Sequence, residues 1–345
     1  MRQAFAQVLC QALCLVASLV VSAQCRADEV ADFYKGKTIT LPVGYSAGGG
    51  YDALARLVAH YMPRDIPGHP SIVVVNEPGA GTLTLTNRLY NVAPRDGTQF
   101  GLIARGMATE PLIGTSKAMF KPDAFTWLGS ASNEVSLCVT YGGSAVKTWQ
   151  DARTHSFTVG GTGSGSDPDV FAKVLRNLFG VQARLVTGYP GTPEISLAME
   201  RGELDGRCGW SWASIKWEKG DWVAENKLNI LVQLALQKAP DLPNVPLIID
   251  AAQNEEQRQI LKLVFSRQEM GRPFVAPPGI PTPRRDALRV AFDQTMQDAD
   301  FRSEAQKQGL EINPVSGPEI DALIAELYRL PPDVVAKARE AVEAK

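Results

Sequence analysis

The chain has 345 residues, of which 45% are hydrophobic and 21% are charged, and its formal net charge is −2. This composition is typical of a folded protein of about two domains and excludes collagen-like and disordered chains. Because the chain has no basic stripe that would hold a polyanion, we expect no nucleic-acid partner. With only three histidines, it also offers little for a His-rich metal site.

Residues 1–27 have the pattern of an export signal. Arg2 gives a positive start, an apolar run covers residues 8–21, and small-residue cleavage sites follow at Ala23 and Ala27. A membrane anchor is the alternative, but the apolar run is shorter than the roughly 20 residues that a spanning helix needs. We therefore expect cleavage near Ala23 or Ala27 and a mature protein in the periplasm.

Cleavage at Ala27 would leave Cys138 and Cys208 as the two cysteines of the mature chain. In an oxidising compartment two cysteines can form a disulfide, but the sequence does not give the distance between them. A disulfide and a pair of buried thiols are both compatible with the sequence.

The chain after residue 27 alternates short apolar runs with amphipathic helical stretches, which is typical of an α/β fold. Strands are predicted at 38–43, 71–75 and 100–104, with helices at 52–62 and 82–90 between them. This order predicts a parallel sheet with right-handed crossovers.

A second unit of the same kind begins near residue 135, and a mainly helical tail follows it. The unit is predicted to have strands at 136–140, 157–159, 183–187 and 230–236 and helices at 169–179 and 194–201. The tail is predicted to have helices from 254 to 265 and from 285 onward, with strand-like segments at 274–276 and 310–315.

Four loops that follow predicted strands are rich in glycine, serine and threonine, and each leads into a predicted helix. They cover residues 44–50, 78–82, 160–166 and 188–192. Glycine allows close backbone approach, and a helix N-terminus presents unpaired N–H groups, so such loops bind anions. Each loop alone can also be explained as a tight turn, and its hydroxyls as helix caps. Two loops in each predicted domain favour an anion-binding cleft.

The first of these loops also matches Gly-x-Ser-x-Gly, the nucleophile motif of serine hydrolases, at Ser46. Such a hydrolase needs a histidine late in the chain, and none follows His155. His60 and His69 have no metal-ligating residue at a usable spacing. We therefore expect no enzyme activity, no metal and no cofactor, with an exported hydrolase that uses Ser46 as an alternative.

These loops, in this order, resemble the tripartite tricarboxylate transporter solute receptors, also called the Bug family. The family's Ala-Gly-Gly-Gly-x-Asp-x-x-Ala-Arg turn stands at residues 47–56, and its Val-x-Asn-x-Pro-Gly-Ala-Gly element at residues 74–81. Shorter family elements also match, and together the matches cover essentially all of the mature chain. The shorter elements stand at residues 93–98, 202–205, 242–246 and 276–281.

The resemblance implies an α/β fold of the two-lobed, type II-like periplasmic binding proteins, with a mostly parallel sheet flanked by helices in each lobe. We expect residues 28–134 and 250–345 in lobe 1 and residues 135–249 in lobe 2, with the hinge near Glu134 and between residues 240 and 270. It also implies a small organic carboxylate as the ligand and the membrane subunits of a tripartite tricarboxylate transporter as partners. A sensor that passes its ligand to a signalling partner is the alternative, and we expect a monomer.

The expected ligand-binding residues lie in or near the four loops. They are Tyr45, Ser46, Ala47, Gly48, Gly49, Asp52, Gly79, Ala80, Gly81, Thr82, Thr162, Gly163, Ser164, Gly165, Ser166, Tyr189, Gly191, Thr192 and Asp205, with Arg105, Gly106 and Arg207 added.

Arg105 follows the third strand, where the family pattern usually has small or polar residues. Arg207, Trp210 and Trp212 form a stretch that is unusually basic and aromatic for the family. One explanation is structural, with each arginine paired to an acid and the indole rings in the core. The other is a ligand that carries a second anionic group or an aromatic ring, bound by an arginine and stacked on tryptophan.

Overall fold

The computed structural model describes residues 29–343, so the predicted export signal and its cleavage sites lie outside the described residues. Within residues 29–343, no helix is both long enough and apolar enough to cross a membrane. The described chain forms two β-sheets with helices packed on both.

The strands are short and are distributed along most of the chain. They are β1 (Thr38–Val43), β2 (Ser71–Asn76), β3 (Gly101–Leu102), β4 (Thr126–Ser130), β5 (Ser136–Tyr141), β6 (Phe157–Gly160), β7 (Ala183–Val186), β8 (Gly206–Ser211), β9 (Leu228–Leu234), β10 (Pro273–Ala276) and β11 (Val315–Ser316).

The α-helices occupy most of the connections between the strands and most of the C-terminal tail. They are α1 (Gly50–Tyr61), α2 (Leu83–Asn91), α3 (Glu110–Ile113), α4 (Trp149–Thr154), α5 (Asp167–Phe179), α6 (Thr192–Glu200), α7 (Trp212–Glu218), α8 (Gly220–Ala224), α9 (Glu255–Phe265), α10 (Thr282–Gln297), α11 (Ala299–Lys307), α12 (Gly317–Leu327) and α13 (Pro332–Val342). A further helical stretch covers residues 29–34.

The first sheet has the strand order β11-β4-β10-β3-β1-β2. Strand β1 is parallel to both β2 and β3, as the strand–helix–strand pattern of the first hundred residues predicts. Strand β10 is antiparallel to β3 and β4, and β11 is antiparallel to β4. The core against the first sheet is apolar and includes Leu41, Val43, Phe274 and Phe292, which are fully buried.

The second sheet has the strand order β7-β6-β8-β5-β9. Strand β6 is parallel to β7 and β8, whereas β5 is antiparallel to β8 and β9. Cys138 of β5 lies opposite Cys208 of β8, and the two form a disulfide that links positions 70 residues apart in the sequence.

The fold class expected from the sequence is confirmed: two sheets flanked by helices build a two-lobed binding-protein fold. Each sheet is mixed, although mostly parallel sheets were expected. The reason is that the chain passes between the sheets twice, and in each sheet the two strands at these crossings are antiparallel neighbours. Ser130 at the end of β4 pairs with Pro273 at the start of β10, and Ser136 at the start of β5 pairs with Leu234 at the end of β9.

Two strands of the structure have no counterpart in the sequence prediction. Strand β4 and strand β8 are buried along their whole length, but β8 has the sequence Gly-Arg-Cys-Gly-Trp-Ser and shows no apolar alternation. The predicted strand at 100–104 is shorter in the structure, and of the strand-like segment at 310–315 only Val315–Ser316 pairs with a neighbour. Whether such a segment forms a strand, and how long that strand is, depends on the pairing partner that the tertiary structure brings to it.

The C-terminal region contacts both sheets. Helices α9 and α13 pack against α5, and their residues Leu261, Phe265 and Ala338 share an apolar core with Phe171. Helix α10 packs against β4 of the first sheet. The assignment of residues 28–134 and 250–345 to one lobe and 135–249 to the other stays a prediction. Within the described residues, the segment 250–343 contacts both sheets.

Candidate functional site

A cavity lies between the two sheets, with an empty volume of about 530 Å³ including the part that is open to solvent. Both sheets contribute to its wall, mainly through strand ends and helix starts. The lining residues are Tyr45, Ser46, Gly49, Gly50, Tyr51, Ala104, Arg105, Asp167, Pro168, Thr192, Arg207, Gly209, Trp210, Ser211 and Ser214.

Three helices begin at this cavity. Helix α1 begins at Gly50, α5 begins at Asp167 and α6 begins at Thr192, and all three of these residues line it. The first N–H groups of a helix have no partner within the helix, and the helix dipole is positive at this end. The cavity wall therefore combines backbone donors and positive potential from both sheets.

The structure brings six of the expected ligand-binding residues to the cavity wall, namely Tyr45, Ser46, Gly49, Arg105, Thr192 and Arg207. The sequence reasoning did not include Tyr51, Asp167, Pro168, Ser211 and Ser214 in its site. Asp167 and Pro168 directly follow the third glycine-rich loop, and Tyr51 directly follows the first, so extending each loop by one turn of helix would have found these three.

The remaining residues of the loops meet each other across the space between the sheets. Loop 78–82 lies against loop 160–166, and a side chain at Gly163 would come within 2.6 Å of the Ala80 backbone carbon. Glycine is needed there because the backbones are in direct contact and because Gly163 has a φ of +124°.

The first loop meets the fourth in the same way. The Ser46 N–H donates to the Pro190 carbonyl oxygen at 3.4 Å, and the Ser46 hydroxyl donates to Glu194 at 2.9 Å. Both pairs of loops therefore touch, and the described chain has its two sheets closed over the cavity.

Two expected site residues hold backbone elements in place and do not line the cavity. Asp52 accepts from the Gly48 N–H at 3.0 Å and from Arg56 and Asn76, which fixes the first loop. Asp205 accepts from the Thr158 N–H and hydroxyl, at 2.7 and 2.8 Å, which joins β6 to the turn before β8.

Arg105 is buried and ion-paired. Its Nε lies 2.6 Å from Asp167 Oδ2, and its two terminal nitrogens donate to the Gly271 carbonyl oxygen and the Ser136 hydroxyl. Burial by itself would lower the pKa of the guanidinium, but the nearby negative charges, of which Asp167 has the largest effect, together outweigh burial and raise that pKa. Arg105 therefore fits the structural explanation, since all three of its nitrogens have a partner within the protein.

A buried set of charges continues from Arg105 along the segments that connect the sheets. Arg267 lies 3.7 Å from Asp167 and donates to the Thr109 hydroxyl, and Arg272 lies 2.9 Å from Glu134. Burial by itself would raise the pKa of the Glu134 carboxyl, but the charges of Arg272 and Arg105 and the hydrogen bonds from two serine hydroxyls together lower it. We call Arg105, Asp167, Arg267, Arg272 and Glu134 the hinge-side charge cluster.

Arg207 is buried to a similar degree but has no acidic partner at ion-pair distance within residues 29–343. One terminal nitrogen donates to the Thr192 hydroxyl at 2.8 Å, the guanidinium lies 5.5 Å from the centre of the Trp210 ring, and Nε has no hydrogen-bond partner. Burial lowers the pKa of Arg207, and the nearest compensating charge is Glu218. An uncompensated buried cation is costly unless an anion completes it.

Aromatic rings form the apolar part of the cavity wall. Tyr45 and Tyr51 are in edge-to-face contact at 4.9 Å between ring centres, and the Tyr51 hydroxyl donates to the Gly271 carbonyl oxygen at 3.1 Å. Burial raises the pKa of both phenols. They therefore stay neutral and act as donors or apolar surface.

Glu218, at the end of α7, reaches from the second sheet to the start of α1. Its Oε1 accepts from the Gly50 N–H at 2.8 Å. Burial raises the pKa of this carboxyl to about 7, against the opposing effects of the Arg207 charge and the Gly50 N–H. No pattern in the sequence indicates Glu218, because its position at the cleft depends on how the two sheets meet.

Within residues 29–343, no group of three or more His, Cys, Asp or Glu side chains is arranged to hold a metal ion. The donors at the cavity are backbone N–H groups, hydroxyls and Arg207, which are suited to an anion.

No model of a known protein family matches the chain. Among curated proteins, the UPF0065 protein of the gbd 5′ region of Cupriavidus necator is 26% identical over 294 residues, which is 83% of this chain and 82% of that protein. A second UPF0065 protein, from Agrobacterium vitis, is 22% identical over 276 residues, which is 78% of this chain and 74% of that protein.

Solved structures match almost the whole chain. The periplasmic binding protein BugD has a TM-score of 0.71 at 20% identity and covers 89% of this chain and 98% of its own. MatC from Rhodopseudomonas palustris with bound malate has a TM-score of 0.68 at 21% identity, with 89% and 99% covered. An R. palustris protein with adipate has a TM-score of 0.67 at 19% identity, with 88% and 97% covered.

The resemblance inferred from the sequence motifs is thereby confirmed: the structural neighbours of this chain are periplasmic binding proteins of the Bug and TctC type, and it has their two-lobed fold.

Proposed function

We propose that this chain is a periplasmic solute receptor that binds a small organic carboxylate between its two lobes. The observation that carries the proposal is Arg207, a buried guanidinium at the cavity wall without an acidic partner in residues 29–343. A ligand carboxylate would give Arg207 a partner at ion-pair distance and could accept from the unpartnered Nε.

The helix starts would bind the ligand's anionic end through backbone donors. The beginnings of α1, α5 and α6 line the same cavity, and Ser46 and Thr192 add hydroxyls that can orient a carboxylate. Because these donors are fixed by the helices, binding would need little reorganisation of the backbone. The relatives with malate and adipate support a ligand of this class.

The proposed role of the receptor is to deliver its ligand to the membrane subunits of a tripartite tricarboxylate transporter, as a monomer. The motif resemblance at residues 47–56 and 74–81 and the TctC-type fold support this role. The alternative role is that of a sensor, which would bind its ligand in the same cleft and pass it to a signalling partner instead of a transporter.

The environment of Ser46 favours a receptor over a serine hydrolase. Its hydroxyl donates to Glu194, and none of the hydrogen bonds in residues 29–343 joins it to a histidine. His60 lies on α1 and contacts the ring of Tyr61, while His155 contacts Thr154 on the surface. The hydrolases that share this motif activate their serine with a histidine, and the hydrogen bond to Glu194 does not supply one.

The test is thermal melting of the mature protein, unfolded and refolded to remove carried-over ligand, against mono-, di- and tricarboxylic and aromatic acids. A ligand at 100 times its dissociation constant stabilises by about 2.7 kcal/mol, which raises the melting midpoint by a few degrees. We expect a shift with at least one class of acid and none with the corresponding amides.

The variant Arg207→Gln should lose most of this shift, and Arg153→Gln is the matched control because Arg153 is exposed on α4, outside the cavity. A midpoint that no acid moves would refute the carboxylate receptor. An equal shift in wild type and Arg207→Gln would leave the receptor standing and remove Arg207 from the site.

A further inference from the structure

A carboxylate of the protein itself sits at the cleft, at the start of α1. Glu218 belongs to α7 of the second sheet, and its Oε1 is 2.8 Å from the backbone nitrogen of Gly50 on the opposite side of the cleft. Gly50 lines the cavity in which Arg207 lacks a partner. The same end of α1 therefore faces both Glu218 and the space in which a ligand anion would lie.

The charges that face Glu218 are few. Arg207 of β8 and Arg272 of the segment before β10 are the cations whose fields reach it, and Gly50 of α1 gives it a backbone donor. Arg272 is already paired with Glu134 at 2.9 Å. Lys216 and Lys219, near Glu218 on its own side, are paired with Asp241 and Glu200. Arg207 is therefore the cation left to balance Glu218.

The other acidic groups near the cleft have partners of their own. Asp167 is held by Arg105 at 2.6 Å, Glu194 accepts from Ser46, and Asp52 accepts from Arg56. With Arg207 charged and Glu218 ionised, the local charge at this end of the cleft is balanced. One ligand carboxylate bound in the closed cleft would make this local charge negative.

We propose that Glu218 takes up one proton when an anionic ligand binds, so that ligand capture is coupled to protonation of the protein. The inference rests on the proposed function and concerns the regulation of the same site. Two carboxylates that share a water-poor site cannot both stay ionised, and the one with the weaker partner takes the proton. A protonated Glu218 can also donate a hydrogen bond to the ligand carboxylate, which an ionised one cannot.

The state of Glu218 before binding supports the proposal. Burial already raises the pKa of its carboxyl to about 7, and a ligand anion acts in the same direction. The affinity for an anion should therefore rise as the pH falls. Above pH 7 it should change by about tenfold for each pH unit, and it should level off below pH 7.

The experiment is calorimetric titration of the refolded protein with malate and with adipate between pH 6.0 and 8.5, each in two buffers that differ in ionisation enthalpy. Within this range the carboxyl groups of both acids are almost fully ionised, so any proton taken up belongs to the protein. We expect uptake of close to one proton per ligand at pH 8 and a loss of affinity of about tenfold from pH 7.5 to 8.5.

The variant Glu218→Gln keeps an acceptor for the Gly50 N–H and has no charge. It should bind at every pH with the affinity that the wild type shows near pH 6, without proton uptake. The matched control is Glu203→Gln, which removes an exposed acid in the turn after α6 and should keep the wild-type pH slope.

The outcomes separate the two proposals. Binding that is independent of pH, without proton uptake, overturns the role of Glu218 and leaves the carboxylate receptor intact. Binding that is weaker in Glu218→Gln and strengthens with rising pH also overturns it, because the ionised form of Glu218 would then favour binding. If neither acid, nor any acid of the melting panel, binds to wild type or variant, the proposed function fails and this inference fails with it.

Discussion

Two buried arginines at the same cavity have opposite surroundings. Arg105 and Arg207 are 4% and 7% exposed, and both line the cavity. Arg105 is paired with Asp167, and each nitrogen of its guanidinium has a partner within the protein. Arg207 has one hydroxyl partner and an Nε without a partner.

The difference shows that burial of an arginine does not by itself indicate a binding role. A buried charge must be compensated, and the location of the compensating charge decides what the residue does. Arg105 is compensated within the hinge-side charge cluster and stabilises the closed arrangement of the sheets. Arg207 has no acidic partner at ion-pair distance in residues 29–343, and we propose that a ligand anion compensates it.

The largest expected effect is on folding stability, and it separates the two arginines directly. Arg105→Met leaves Asp167 buried with one cation fewer and should lower the free energy of unfolding by about 3–5 kcal/mol. Arg207→Met removes a charge without an ion partner and should change that free energy by less than about 1 kcal/mol or raise it. Chemical denaturation of both variants without ligand is the measurement, and equal losses would contradict the contrast.

The second effect concerns the scaffold under Arg207. Replacing Cys138 and Cys208 together by alanine removes the link between β5 and β8 and should cost about 2–4 kcal/mol of stability. Arg207 is next to Cys208, but β8 also pairs with β5 and β6, so carboxylate binding should survive at low temperature. Chemical denaturation measures the loss of stability, and calorimetric titration at 15 °C measures the retained binding. A double variant as stable as the wild type would contradict the predicted loss of stability.

The third effect is the pH dependence of stability in the absence of ligand. Because the pKa of Glu218 is raised to about 7, the folded chain keeps a proton between about pH 4.5 and 7 that the unfolded chain releases. The wild type should therefore lose stability relative to Glu218→Gln as the pH rises through this window, by about 1–3 kcal/mol. Denaturation of both proteins at pH 5 and pH 8 measures the change, and a constant difference would count against it.

The smallest effect tests how Arg207 recognises an anion. Arg207→Lys keeps the charge but has a single nitrogen in place of the planar fork that binds a carboxylate with two hydrogen bonds. We expect it to bind about tenfold more weakly than wild type and more tightly than Arg207→Gln. Calorimetric titration ranks the three proteins, and a lysine variant no better than the glutamine variant would show that charge alone is not what matters.

Much of the scaffold could be predicted because local pattern and final structure agree there. The strands at 38–43 and 71–75, the helices at 169–179 and 254–265 and the four glycine-rich loops lie within a few residues of their positions in the structure. Apolar runs between turns indicate strands, and amphipathic periodicity indicates helices, before any tertiary contact is known. The order of these elements and the motifs at 47–56 and 74–81 were sufficient for the two-lobed fold.

The sequence by itself thus determined the α/β class and the glycine-rich loops, which depend on periodicity and on glycine. Its family motifs implied the two-lobed fold. Only the tertiary structure decided that Arg105 is paired and Arg207 is not, because an ion pair between positions 105 and 167 depends on how the two sheets meet. The same is true of Glu218 at the start of α1, 168 residues away in sequence. Charge compensation is a property of the folded neighbourhood, and one-dimensional spacing does not contain it.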